Sequence, residues 1–151
     1  MDFVVIDVEF VERNVVNEMG LYFDGKILGL SFKPPRDYEP TKQAFWGTDF
    51  LHGMAWDSGK LDYDSLQRHL QIVKKHKSRF LAKGTEKCKI VSKLLGADVE
   101  NLEDYGCPKI QQLARPSHEC SNYPLKHEYS LHCAEKKARA IEEWFQEHLA
   151  L

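Results

Sequence analysis

The chain opens with an uninterrupted apolar run, Phe3-Val4-Val5-Ile6, that passes directly into Asp7-Val8-Glu9-Phe10. A continuous apolar run of this kind is typical of a strand that is buried on both faces. Because side chains alternate along an extended strand, Asp7 and Glu9 point to the same side. The pattern therefore predicts a central strand over residues 3–10 that carries two carboxylates on one face.

Two further strands are predicted between Val15 and Phe32. Asp24-Gly25 separates them, and this dipeptide tolerates the positive φ angles of a two-residue hairpin turn. Pro34-Pro35 ends the second of the two strands. The first three strands are therefore expected to form an antiparallel meander.

After a polar loop region from Arg36 to Lys60, the pattern alternates between helical and strand periodicity. The predicted elements are, in chain order, a helix from Asp62, a strand at Phe80 to Ala82, a helix with Thr85 as N-cap and Gly96 as C-cap, a strand around Val99 to Leu102, a short helix near Pro108, and a helix from Ala134. This order predicts an α/β fold in which helices cover a mixed sheet.

Composition narrows the function classes. The 151 residues, 42% of them hydrophobic, suit a single domain over residues 1–151. A formal net charge of −2 gives no overall basic field, so contacts with nucleic acid have to come from a local patch. The four scattered cysteines do not form a disulfide scaffold and no apolar run reaches the length of a membrane span, so we expect an intracellular protein, cytoplasmic or nuclear, without a membrane partner.

The densest local patch of positive charge lies at the end of the first predicted helix and just beyond it. Its side chains are candidates for contacts with the phosphates of nucleic acid. The alternative is an ordinary solvated helix end, where the helix dipole favours positive charge. The candidate residues are Lys74, Lys75, Lys77, Arg79 and Lys83.

Four residues outside the acid pair form a candidate zinc site: Glu18, Cys120, His127 and Cys133. One carboxylate, two thiols and one imidazole can complete a tetrahedral zinc site. Their spacing is not that of a short zinc knuckle, and buried free cysteines are common in protein cores. The residues alone leave both interpretations open.

Several short motifs, together with the order of elements, resemble the DEDDh exonucleases of the ribonuclease H-like superfamily. Ile6-Asp7-Val8-Glu9 opens the meander, and His132 stands before the last predicted helix. The landmarks between them are Asn17-Glu18-Met19-Gly20, His52-Gly53-Met54 and Phe80-Leu81-Ala82-Lys83-Gly84. The resemblance covers nearly the whole chain and implies a mixed sheet with an antiparallel meander, flanked by helices.

The resemblance also implies a mechanism. The family uses four carboxylates around two divalent cations, Mg or Mn, with a histidine as general base. Asp7 and Glu9 match the first acid pair, and His132 matches the base. One function hypothesis is therefore an active metal-dependent 3′-to-5′ exonuclease or ribonuclease that uses these three residues.

Two acids of the family are missing here. The middle acid is expected near Lys87 or Cys88, where only Glu86 offers a carboxylate, and the last acid is replaced by Lys137. An ammonium beside the acid pair repels metal ions and neutralises the carboxylates itself. Our hypothesis is a degenerate exonuclease fold in which Lys137 pairs with Asp7 or Glu9; the alternative is that Lys137 points to solvent.

A closer resemblance is to the Maelstrom domain of small-RNA silencing, a DEDDh-like fold that lacks the catalytic acids and carries a Glu-Cys-His-Cys zinc set. It implies structural zinc at Glu18, Cys120 and Cys133, with His127, or otherwise His118, as the fourth ligand because Tyr123 occupies the usual histidine position. The main function hypothesis is therefore a catalytically degenerate module that binds nucleic acid, single-stranded RNA in particular, or a protein partner.

Overall fold

The computed structural model describes residues 2–10, 15–36, 38, 59–113, 120–122 and 133–149. The strands are β1 (Phe3–Phe10), β2 (Val16–Phe23), β3 (Lys26–Ser31), β4 (Arg79–Ala82) and β5 (Glu100–Asn101), and the helices are α1 (Asp64–His76), α2 (Thr85–Leu95) and α3 (Ala134–His148). The five strands form one sheet in the order β3-β2-β1-β4-β5. Helices pack against both faces of this sheet.

The first three strands form the predicted antiparallel meander. The turn between β2 and β3 is Asp24-Gly25, with φ angles of 51° and 75°. Two consecutive positive φ angles are those of a hairpin turn that matches the twist of its strands. Strands β4 and β5 add in parallel beside β1. The sheet is therefore mixed, and the predicted α/β fold is confirmed.

Strand β1 lies at the centre of the sheet and is buried on both faces. Val4, Ile6 and Val8 pack into an apolar cluster beneath α1 and α2. Phe3 and Val5 point to the opposite face, where they pack with residues of α3. Burying each of these side chains contributes about 1.5–3 kcal/mol. The alternation also places the two acids at the end of β1 on the α3 side.

Helix α3 approaches the sheet closely because β2 and β3 carry glycines beneath its first turn. A Cβ atom on Gly20 would lie 2.3 Å from the carbonyl oxygen of Ala134. A Cβ atom on Gly29 would lie 1.7 Å from Oε1 of Glu135. The Glu135 carboxylate is buried there and accepts hydrogen bonds from the backbone N–H (3.1 Å) and hydroxyl (2.8 Å) of Ser121. The start of α3 therefore packs directly against the backbone of β2 and β3 at these glycines.

Two element boundaries differ from the predicted ones. Helix α2 includes Thr85 as its first residue, since Gly84, at a φ of 104°, takes the capping position instead. Strand β5 ends at Asn101, because the side-chain oxygen of that residue accepts hydrogen bonds from the N–H groups of Gly84 and Glu103, each at 3.0 Å. A 3-10 turn over Leu102–Tyr105 follows in place of a longer strand.

The other predicted elements are present with small shifts. Helix α1 begins at Asp64 rather than Asp62, and the short helix near Pro108 is a 3-10 turn at Ile110–Gln112. The predicted landmark His52-Gly53-Met54 lies outside the described residues. In the part of the chain that the structure describes, no helix is both long and apolar enough to cross a membrane.

Candidate functional site

The acid pair of β1 is buried beneath α3. Asp7 is 1% exposed and Glu9 is 5% exposed. A solvated strand end would expose both carboxylates, so Asp7 and Glu9 are not a solvated strand end. Because two buried carboxylates are costly without positive charge nearby, their partners decide what this site can do.

Two lysines supply that positive charge. Lys87, in the first turn of α2, places its Nζ atom 2.8 Å from Oδ1 of Asp7 and 3.8 Å from Oε1 of Glu9. Lys137, one turn into α3, donates a hydrogen bond from its Nζ atom to the same Oε1 atom of Glu9. We call these four residues the ion-pair cluster. Its formal charge is zero.

The cluster keeps Lys137 charged. Burial disfavours the ammonium, but the carboxylates of Asp7 and Glu9 outweigh this effect and raise the pKa of Lys137 above the ordinary lysine value of 10.5. Burial raises the pKa of Glu9, and the ammonium groups of Lys137 and Lys87 oppose that rise. At neutral pH Lys137 is therefore an ammonium that is hydrogen-bonded to Glu9.

The described residues around the acid pair do not fit the two-metal centre that the DEDDh resemblance implies. Two divalent cations bring four positive charges, whereas the cluster offers two carboxylates that already face two ammonium groups. Within the described residues, Oδ2 of Asp7 is buried and receives no hydrogen bond. Because the carboxylates of Asp7 and Glu9 face ammonium groups, the donors among the described residues do not match a two-metal centre.

The structure distinguishes Lys87 from its neighbour Glu86. Lys87 reaches the acid pair, whereas Glu86 lines a groove between α1 and α2 together with Gln67 and Lys93. Near the position expected for the middle acid, the residue that contacts the acid pair is therefore a lysine. His132, the predicted general base, lies outside the described residues, so its role stays a prediction.

Most of the predicted basic patch is engaged in ion pairs or hydrogen bonds. Lys77 lies 2.5 Å from Oδ1 of Asp24, Arg79 contacts Glu100 through two nitrogens at 2.7 and 3.0 Å, and Lys83 lies 3.1 Å from Glu103. These contacts reduce the field that the patch presents to phosphates. Lys74 donates to the carbonyl oxygen of Gly96, and Lys75 is exposed. Phosphate binding by this patch stays a prediction.

A second group of metal-binding residue types lies beside the cluster. One ligand atom each from Glu18, Cys120 and Cys133 lies within 4.8 Å of the other two, and all three residues are buried. The Sγ atom of Cys133 is 3.5 Å from Oε1 of Glu18. In a tetrahedral zinc site, a sulfur and an oxygen ligand are separated by about 3.5 Å. The three donors therefore form a possible metal-binding group, and the one sulfur–oxygen separation matches that of a zinc site.

The Cys133 thiol of this donor group is protonated in the absence of a cation. The hydrogen bond with Cys120, burial, and the carboxylate of Glu18 all raise the pKa of Cys133. A metal ion is the kind of partner that favours the thiolate in such surroundings. His127, the predicted fourth ligand, lies outside the described residues, and so does His118.

The first turn of α3 donates hydrogen bonds both to the ion-pair cluster and to Glu18 of the possible metal-binding group. Glu9 and Glu18 are direct register partners on β1 and β2, a like-charge pair that is unfavourable by itself. The N–H group of Ala134 donates to Oε1 of Glu18 at 3.0 Å, and Lys137 donates to Glu9. The close contact of α3 with Gly20 is what brings these donors within reach.

Comparison with known proteins supports this architecture. No known protein family and no curated protein matches the sequence. A crystal structure of E. coli Exonuclease I in complex with a dT13 oligonucleotide is similar to this chain, with a TM-score of 0.57 and 11% sequence identity. The fold is exonuclease-like, of the ribonuclease H-like type. The similarity covers 97% of this chain and 41% of that one, so this chain spans about two fifths of the length of Exonuclease I.

Sequence reasoning missed one partner of the acid pair. It identified Lys137 as a candidate partner of the acids but did not identify Lys87 as one. The available signal was a lysine at or beside each position where the resemblance implies an acid. Lysines at such positions predict ion pairs with the acids of β1, and Lys87 and Lys137 form these contacts.

Proposed function

We propose that this chain is a catalytically degenerate exonuclease-like domain that binds single-stranded nucleic acid, RNA in particular, without cleaving it. The observation that carries the proposal is the contact of both acids of β1 with lysine ammonium groups. The similarity to an exonuclease that was solved with an oligonucleotide supports nucleic acid as the ligand class. The resemblance to the Maelstrom domain supports RNA over DNA.

The absence of cleavage follows from charge. Phosphodiester hydrolysis by two metals needs cations that activate water and stabilise the leaving oxygen. Lys87 and Lys137 neutralise the carboxylates that would hold those cations. An ammonium with a raised pKa, such as Lys137, is also a poor proton acceptor at neutral pH.

An active nuclease is the second candidate. The retained acid pair and the unpartnered Oδ2 atom of Asp7, considered within the described residues, favour it. Activity would require both lysines to leave the acids so that Mg or Mn could bind Asp7 and Glu9, with His132 as base. A protein partner in place of nucleic acid is a further outcome that the experiment below distinguishes.

The test measures binding and cleavage together. Labelled single-stranded RNA and DNA are incubated with the protein in magnesium, in manganese and in EDTA. We expect retention of RNA in a binding assay under all three conditions and no loss of full-length strand. Magnesium-dependent cleavage that disappears in Asp7→Asn would establish the nuclease, whereas no binding to either strand would leave a protein partner as the ligand.

Structural zinc is part of the same proposal. Glu18, Cys120 and Cys133, with His127 as the fourth ligand, would bind one ion and tie β2 to the start of α3. Four protein ligands leave no open position for water, which is the coordination of a structural site. The four free cysteines are consistent with a reducing compartment, and we propose an intracellular, cytoplasmic or nuclear protein.

Metal analysis of the purified protein tests the zinc site. We expect one zinc ion per chain in the unmodified protein, because the three donor atoms already lie within 4.8 Å of one another. Cys133→Ser should lose the ion. Cys88→Ser is the matched control, since Cys88 is a buried free cysteine on α2 outside the donor group. Protein without zinc, or equal zinc in both variants, would contradict this assignment.

A further inference from the structure

We infer that the ammonium groups of Lys87 and Lys137 bind a phosphodiester of the single strand, and that they do so without a divalent cation. This inference rests on the proposed nucleic-acid binding and assigns it to the ion-pair cluster. The ligand class is a phosphodiester with two negatively polarised oxygens.

The four side chains of the cluster differ in depth. The carboxylate side chains of Asp7 and Glu9 are 2% and 6% exposed, whereas the side chains of Lys87 and Lys137 are 24% and 13% exposed. The acids therefore form the floor of the site, and the two lysines lie nearer to solvent. A strand that approaches from outside meets positive charge first, although the formal charge of the cluster is zero.

The two ammonium groups also lie close together. Both face the same oxygen, Oε1 of Glu9: Lys137 is hydrogen-bonded to it and Lys87 is 3.8 Å away. An ammonium has three N–H donors, and Lys87 makes its hydrogen bond to the acid pair at Oδ1 of Asp7. Each ammonium has more N–H donors than its hydrogen bond to the acid pair uses, so two adjacent ammonium groups match the two non-bridging oxygens of one phosphodiester.

The balance of charges in the cluster predicts how the affinity for phosphate changes when an acid or a lysine is replaced. The carboxylates beneath the lysines weaken the attraction for phosphate, so removing an acid should strengthen binding and removing the lysine should weaken it. A cluster that only stabilises the fold would not respond in these opposite directions. A metal-dependent phosphate site would lose binding in EDTA, whereas this one would not.

The experiment measures the affinity of a short fluorescein-labelled oligouridylate, and of the matching oligothymidylate, by fluorescence anisotropy in EDTA. Lys87→Gln should weaken binding roughly tenfold and lower the slope of log affinity against log salt by about 0.7. Asp7→Asn should tighten binding several-fold. Lys89→Gln, with the same charge change at an exposed position on α2, should stay within about twofold.

Lys87→Arg is the second variant, because it keeps the charge that the fold needs and should retain binding. Thermal melting confirms that each variant is folded. If the unmodified protein binds the oligonucleotide but Lys87→Gln and Lys89→Gln have equal affinities, or if Asp7→Asn does not tighten binding, the phosphate site is wrong and the proposed function stands. If the unmodified protein binds neither strand, the proposed function fails, and this inference fails with it.

Discussion

Lys137→Met is expected to lower the free energy of unfolding by about 3–5 kcal/mol. The substitution keeps an aliphatic side chain of similar length but removes the ammonium that donates to Glu9. Glu9 is buried, so its carboxylate would either remain charged with less compensation or take up a proton. Urea unfolding at neutral pH, followed by circular dichroism, measures the difference.

Two comparisons distinguish the loss of the contact between Lys137 and Glu9 from the general effect of replacing a lysine by methionine. Lys93→Met makes the same change at an exposed position on α2 and should alter stability by less than about 0.5 kcal/mol. In the double variant Glu9→Gln and Lys137→Met, the loss should be smaller than the sum of the two single losses by at least 1 kcal/mol, roughly the coupling of contacting residues. Additive losses would show that Lys137 does not stabilise Glu9.

The loss of stability in Lys137→Met should also depend on pH. The folded-state pKa of Lys137 is raised above the ordinary value of 10.5, so its contribution to stability is fully present below that pH. The contribution is lost as pH rises through the folded-state pKa, where Lys137 releases its proton. The stability difference between the unmodified protein and Lys137→Met should therefore be constant from neutral pH upward and shrink only in strongly alkaline solution.

Local rules account for the parts of the fold that the sequence predicted well. The turn at Asp24-Gly25 and the C-cap at Gly96, with a φ of 71°, need positive φ angles that these residues adopt readily. The apolar run of β1 indicated a central strand because a buried strand needs apolar side chains on both faces. Errors arose where a single side chain redirected the backbone, as Asn101 does at the end of β5.

The candidate site was harder to predict because its contacts are distant in sequence. Lys87 and Asp7 are 80 residues apart, and Lys137 and Glu9 are 128 residues apart. Whether an ammonium reaches a carboxylate depends on how a helix packs on the sheet, which residue types alone do not specify. For Lys137 the resemblance supplied the missing geometry, whereas it did not specify the contact between Lys87 and Asp7.

The contact between α3 and the sheet connects the two candidate sites energetically. Cys133 and Ala134 face Glu18, and one turn later Lys137 faces Glu9. All three positions depend on how closely the start of α3 approaches β2. A change that lifts α3 from the sheet should therefore weaken the ion-pair cluster and the proposed zinc site together.

Gly20→Ala is that change, and we expect it to destabilise the protein by about 3 kcal/mol. The added Cβ atom would lie 2.3 Å from the carbonyl oxygen and 2.6 Å from the carbonyl carbon of Ala134, and 2.8 Å from Cα of Glu135. These are backbone atoms, so rotation of a side chain cannot relieve the overlap and α3 itself must move. Urea unfolding and zinc content measure both consequences.

Gly25→Ala is the control for Gly20→Ala. A Cβ atom on Gly25 would meet nothing within 4 Å, so only the strain of its positive φ, about 1–2 kcal/mol, is expected. Gly20→Ala should lose more stability than this control and should also lose zinc, because the Cys133 thiol moves with α3. If Gly20→Ala keeps its zinc and unfolds like Gly25→Ala, then α3 tolerates a larger separation from β2, and its first turn does not couple the two sites.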